Sequence, residues 1–155
     1  MENCKMDFKD FIEITSNIFV CVGVFIAIIS FYADHRRRKK QATFEFYHSI
    51  REKLVESLNR IEKETPNDQV ISVSAIEEND ELLSMIKSYL SHMERFAIGI
   101  KSGTYDIRVF KRMVGATLTV YWINRFREVI EYLRQKYDNP FAYKDLEDLV
   151  SKLKK

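Results

Sequence analysis

The 155-residue sequence has two cysteines, two prolines, four glycines, three histidines and one tryptophan. Cys4 and Cys21 both lie near the N-terminus, so no disulfide staples the remainder of the chain, as suits a reducing compartment. So little Gly and Pro leaves long helices as the main architecture. His35, His48 and His92 have no second His or Cys at ligand spacing, so no metal site is expected. The chain has no Gly-rich phosphate loop, no Gly-x-Ser-x-Gly turn, and no Cys placed to work with a base in its C-terminal part. Carboxylates cluster at Glu77-Glu78 and at Asp145, Glu147 and Asp148, where solvated charge is the simpler account. The expectation is a protein without cofactor or enzymatic activity.

What the chain does have is one long apolar stretch. Residues 14–33 carry no charge. Twenty residues at about 1.5 Å each reach roughly 30 Å, the thickness of a bilayer's hydrocarbon core. The segment is apolar nearly all round, whereas a buried helix of a soluble protein is usually shorter or has a polar face. It predicts a single transmembrane helix over residues 11–33, after a short tail of residues 1–10.

The flanking charge sets the orientation. Arg36, Arg37, Arg38, Lys39 and Lys40 follow the apolar stretch directly, while up to Ala33 there are two lysines against four acids. The first part is therefore net −2 and the remainder +4. Lys and Arg stay on the cytoplasmic side during insertion. The prediction is a single-pass protein of the bacterial inner membrane, N-terminus out, with residues 34–155 in the cytosol. In a cleaved signal peptide the positive charge precedes the apolar core and a small-residue site follows it. Here Phe31-Tyr32 stands at that place, and aromatics suit the headgroup layer. The basic block reads as a topology signal and an anionic-lipid contact, not as a nucleic-acid site. Inside the span, Ser16, Gly23, Ala27 and Ser30 share one side of a helix, where small residues permit close helix packing. Glu13 and Asn17 lie one turn apart at the outer border, and polar groups there favour a partner or water.

Beyond Ala33 the helix is expected to continue unbroken to the Thr65-Pro66-Asn67-Asp68 stop. Phe44, Tyr47, Ile50, Leu54, Leu58 and Ile61 form its apolar face. Anchor and first cytosolic helix then form one rod that carries rotation into the membrane. Residues 69–78 read as a short extended piece or a packed loop; with no second strand to pair, a loop is expected. Asn79-Asp80 starts a second helix that buries Leu82, Leu83, Ile86, Leu90, Met93, Phe96, Ala97 and Ile100 and stops at Gly103. Asp106 caps a third, with Phe110, Met113, Leu118, Trp122, Phe126, Ile130 and Leu133 inward, which bends near Gly115 or runs on to Tyr137. Asn139-Pro140 ends it. A fourth, over about residues 143–153, carries Leu146, Leu149, Val150 and Leu153, with Lys152, Lys154 and Lys155 at its negative dipole end. The fold class is all-α: an N-terminal transmembrane helix continuing into a cytosolic bundle of about four helices.

Residues 83–150 carry Tyr89-Leu90-Ser91-His92-Met93-Glu94-Arg95-Phe96-Ala97-Ile98-Gly99-Ile100, Tyr121-Trp122 and Asp138-Asn139-Pro140. In these the chain resembles a family of uncharacterised bacterial helical domains that often follow a single membrane anchor. The whole layout also resembles the small accessory membrane proteins of type VI-B CRISPR systems. That resemblance implies a divergent HEPN-like helical domain, assembly into a membrane pore, and a functional link to an RNA-targeting effector in anti-phage defence. Catalytic HEPN nucleases place four to six residues between an Arg and a following His, and no His of this chain meets that spacing. No nuclease residue is carried over.

Two functions compete on this reading. In the first, identical subunits associate through the helical domain, and the anchors gather into a pore that perturbs the membrane. Glu13, Ser16, Asn17, Gly23, Ala27 and Ser30 would pack or line it, and residues 36–40 would ring its cytosolic mouth. In the alternative, a passive anchor holds a bundle that docks a cytosolic partner. The resemblance favours the homo-oligomeric effector by a small margin.

Overall fold

A computed structural model describes residues 8–65 and 70–154. The expectations for residues 1–7, for Pro66, Asn67, Asp68 and Gln69, and for Lys155 lie outside the described residues. The fold is all-α, with no strand among the described residues. The chain divides into two units, residues 1–38 and 39–155.

Helix α1 spans Phe8–Glu64 and contributes to both units. Its helical assignment is uninterrupted, as the absence of Gly and Pro between Gly23 and Pro66 predicts. In the first unit its described side chains are exposed, save Thr15, which is half-buried. In the second, Ile50, Leu54 and Ile61 are buried, while Tyr47 and Leu58 pack against the core from half-buried positions. Phe44 departs from expectation: it is 57% exposed and stacks on His48. The inward aromatic is Phe46, two residues on.

Residues 69–78 are not simply a loop. Val73–Glu77 forms the short helix α2, with Ser72 Oγ accepting the Ala75 N–H at its N-terminus. Ile71 and Ile76 are buried at either side of that cap, and burying both is what settles the ambiguous pattern as a docked turn of helix. Helix α3 (Asp80–Lys101) starts where Asn79 predicts, its Oδ1 accepting the Leu82 N–H at 2.9 Å. Its expected inward residues are buried except Ile100, which is half-buried, and Tyr89 joins them. Gly103 follows the helix at φ +81°, a conformation that favours glycine.

The expected third helix is divided. Asp106 caps α4 (Ile107–Phe110), accepting the Arg108 N–H at 2.8 Å. A π-helical segment, Lys111–Gly115, follows, and then α5 (Ala116–Arg125) and α6 (Arg127–Lys136). Leu118, expected inside, is 48% exposed, and Met113 is half-buried. The π segment holds one residue more than an α turn needs, and the buried position falls on Thr119 in place of Leu118, while Trp122 and Phe126 are buried as expected. Helix α7 (Lys144–Leu153) buries all four expected residues.

Helix α3 runs antiparallel to the second part of α1. The Phe46 and Phe96 rings meet at 4.7 Å, and Asn79 Nδ2 donates to Glu64 Oε2 at the opposite end. Buried Arg125 fastens the C-terminal end of α1. Its Nη2 donates to the Thr65 carbonyl at 2.7 Å and to Thr65 Oγ1 at 3.1 Å, a cation set against free helix-end carbonyls. Its own carbonyl accepts the Ile71 N–H, which ties the segment before α2 to the same point.

The Tyr105 ring lies between Phe46 at 5.2 Å and Phe96 at 5.6 Å. Gly99 is set against that ring: a Cβ there would stand 2.1 Å from Tyr105 Cδ2. Held by its neighbours, the ring cannot swing away cheaply. Gly99→Ala is expected to lose about 1–3 kcal/mol of stability in thermal unfolding followed by circular dichroism. The same substitution in a Tyr105→Ala background should cost much less; an equal loss in both would place the strain elsewhere.

Candidate functional site

The first unit presents an exposed apolar surface. The N-terminal part of α1 is long and apolar enough to cross a membrane, and no residue of that apolar window is buried. Ile18, Phe19, Phe25, Ile29 and Phe31 are each more than half exposed. Backbone N–H and C=O groups are satisfied within the helix, the condition any single segment must meet in hydrocarbon.

On this surface the residues singled out from sequence fall as helical spacing requires. Glu13 and Asn17 are exposed one turn apart, and Ser16, Gly23, Ala27 and Ser30 are exposed as well. A Cβ built on Gly23 meets nothing within 4 Å, so the small-residue side is open to a second helix. Phe31 and Tyr32 stand edge-on at 6.5 Å. Arg36, Arg37, Arg38 and Lys40 are exposed and Lys39 is half-buried. The structure brings no catalytic group to this set, and what it can do chemically is attract anions and exclude water.

In the second unit, polar residues that the sequence left without a role fasten α7. Its N-terminus has no side-chain cap of its own, because Tyr143 precedes it at φ +59°. The cap arrives from α3: the Glu94 carboxylate accepts the Leu146 N–H at 2.8 Å and the Asp145 N–H at 3.3 Å. Lys101, two turns further along α3, pairs with Asp145 and lies 3.9 Å from Asp148. Arg134 donates to the Ala142 carbonyl from Nε and Nη2 and reaches Glu147 at 2.8 Å. The acidic cluster expected to be merely solvated is thus largely engaged in holding the helix down. Glu94 and Gly99 of the sequence motif are explained by packing and capping. The missing N-cap residue at Tyr143 shows that α7 needs a cap from elsewhere, but not that Glu94 supplies it, and no sequence signal marks Gly99.

Burial holds the Glu94 carboxyl above its ordinary pKa; its two backbone N–H bonds oppose the shift, and Asp145 and Glu147 add to it. A carboxyl raised on folding contributes stability that is fully present below its unfolded value, and the contribution is lost as pH rises through the folded value. Glu94→Gln keeps an oxygen for the two N–H groups and carries no charge. Its stability is expected to match the parent's below about pH 4 and to equal or exceed it at pH 7. Glu94→Ala should lose about 1 kcal/mol. Unfolding curves across pH check this, and a Gln variant as unstable as the Ala variant at pH 7 would mean that the charge itself is required.

No curated protein and no solved structure matches the chain. The likeness to type VI-B accessory membrane proteins therefore gains nothing from these comparisons. A family model described as Domain of unknown function (DUF4760) matches residues 17–153, most of the apolar surface and the whole bundle, and the chain belongs to that family.

Proposed function

We propose that the protein is a single-span membrane anchor, N-terminus outside, that holds an all-α docking module against the cytoplasmic face of the membrane. One observation carries this reading: a helix of membrane-spanning length whose apolar surface has no cover, beside a second unit that closes its own core. The five cations at residues 36–40 supply the orientation, since they resist translocation and meet anionic headgroups. A cytosolic protein is the partner such a module would hold, and the cationic residues serve the lipid surface.

A second reading is favoured by Glu13 and Asn17, polar groups exposed on an otherwise apolar helix, and by the open side at Gly23. Both gain from contact between copies in lipid. On this reading the subunits form a homo-oligomeric effector that perturbs the membrane, as in anti-phage defence beside an RNA-targeting effector. It needs enough helices to enclose a lumen, which the tether does not.

The full-length protein is expected to stay in the membrane pellet through alkaline carbonate extraction, and Cys4 to react with an impermeant maleimide from outside. Release into the supernatant would sink the anchor for both readings. Light scattering on the detergent-solubilised protein then separates them. A monomer or dimer supports the tether, whereas a discrete ring of roughly six or more subunits supports the effector.

A further inference from the structure

The second unit has a charged end that neither reading uses. Helix α3 is antiparallel to α1, so its C-terminus returns to the level at which α1 enters the unit. The contact is direct: the Asp106 N–H donates to Thr43 Oγ1 at 2.7 Å, and Thr43 Oγ1 donates to the Lys39 carbonyl at 2.8 Å. Helix α7 runs the same way as α3, because Glu94 meets its first residues and Lys101 reaches Asp148, one turn further on. The C-terminal ends of α3 and α7, the start of α4 and the entry of α1 are thereby gathered at one end.

That end is rich in cations. Lys40, Arg108, Lys152 and Lys154 are exposed there, with Lys39 half-buried. Its acids are largely engaged: Asp106 caps α4, Glu45 accepts from Gln41, and Asp145 and Asp148 face Lys101. The opposite end has the reverse sign. Glu64 and Asn79 mark it, and Glu77, Glu78, Asp80 and Glu81 outnumber the cations there, Lys63 and the Arg60 that pairs with Glu81 at 3.6 Å. The bundle is thus polar in charge along its own length.

We propose that this cationic end is a docking surface for anionic phospholipid headgroups, so that the bundle itself lies on the leaflet through Arg108, Lys152 and Lys154. Complementarity of charge identifies the partner, and chain length keeps it within reach. Lys39 is seven residues beyond Tyr32, a span of at most about 25 Å even if fully extended. Phe44, 57% exposed and next to Thr43, adds an aromatic of the kind that settles among headgroups. The acidic end is left pointing away from a surface that would repel it. This proposal rests on the membrane anchor.

The test uses the full-length protein in nanodiscs of neutral phosphatidylcholine, with and without phosphatidylglycerol, read by amide hydrogen exchange. Anionic lipid is expected to slow exchange in residues 102–109 and 150–154 by roughly fivefold or more, the factor one surface cation's attraction gives. Half-molar salt should abolish the effect. So should the combined Arg108→Ser, Lys152→Ser and Lys154→Ser variant, which leaves residues 36–40 intact and whose fold is checked by the near-ultraviolet signal of Trp122. Protein held in the discs with exchange indifferent to phosphatidylglycerol would overturn the docking surface and leave the anchor standing. Protection undiminished in the folded variant would overturn it equally, assigning the effect to residues 36–40 alone. Failure to enter discs of either composition would remove the anchor, and this proposal with it.

Discussion

Apolar surface left in water costs about 25 cal/mol per Å², and the first part of α1 carries a continuous sleeve of it. Ile12, Ile14, Ile18, Phe19, Val20, Val22 and Val24 are all exposed within its first turns, with Phe25, Ile26, Ile28 and Ile29 following. Among the described residues, none in that apolar window is buried. On the reading proposed above, lipid meets that surface. The second unit completes its core without it, around Phe96, Phe110, Phe126 and Ile86. The two units therefore satisfy separate solvation demands, and a lipid environment for one leaves the other's packing untouched.

Within the bundle the polar residues do structural tasks. Among the described residues no buried side-chain nitrogen or oxygen lacks a hydrogen-bond partner. Arg125 closes the end of α1, Glu94 opens α7, and Arg134 holds the Ala142 turn between α6 and α7. The Arg125 and Glu94 contacts join segments 60 and 52 positions apart, so loss of one loosens an element and not only a side chain. His92 follows the same pattern locally, its Nδ1 donating to the Ser88 carbonyl one turn back. These groups, left without a role in the sequence, make contacts that hold the elements together.

Local rules made much of the fold legible. The uncharged run, the Asn79 and Asp106 caps and the stop near Gly103 each depend on a few neighbouring residues, and they appear where those residues place them. The face of α3 was legible because twenty-two residues average out any single ambiguous position. Contacts across long sequence separations were not. Nothing near Tyr143 announces that α7 is capped by a residue about fifty positions earlier, and nothing near Gly99 announces the Tyr105 ring. Phe44 and Phe46 are equally apolar, and which one points inward is decided by where α3 and Tyr105 stand. Of the candidate site, helical spacing gave the relative placement of Glu13, Asn17 and the small residues. What meets them is a property of the surroundings.

The π segment Lys111–Gly115 has a meaning best put in terms of counting. Each residue of an α-helix advances the chain by about 100° around its axis, so one supernumerary residue acts on side chains as a frame shift acts on codons. Upstream of it, Phe110 faces the core; downstream, the facing positions are Trp122 and Phe126, which an uninterrupted count from Phe110 misses by one. Gly115, at φ +84°, is where the extra residue is absorbed. By the same arithmetic, deleting one residue here would let a regular helix keep Phe110 and Trp122 on one face, whereas winding the segment at its present length into a regular helix would turn the Trp122 face toward water. The sequence downstream is written in a frame that only the irregular turn makes correct.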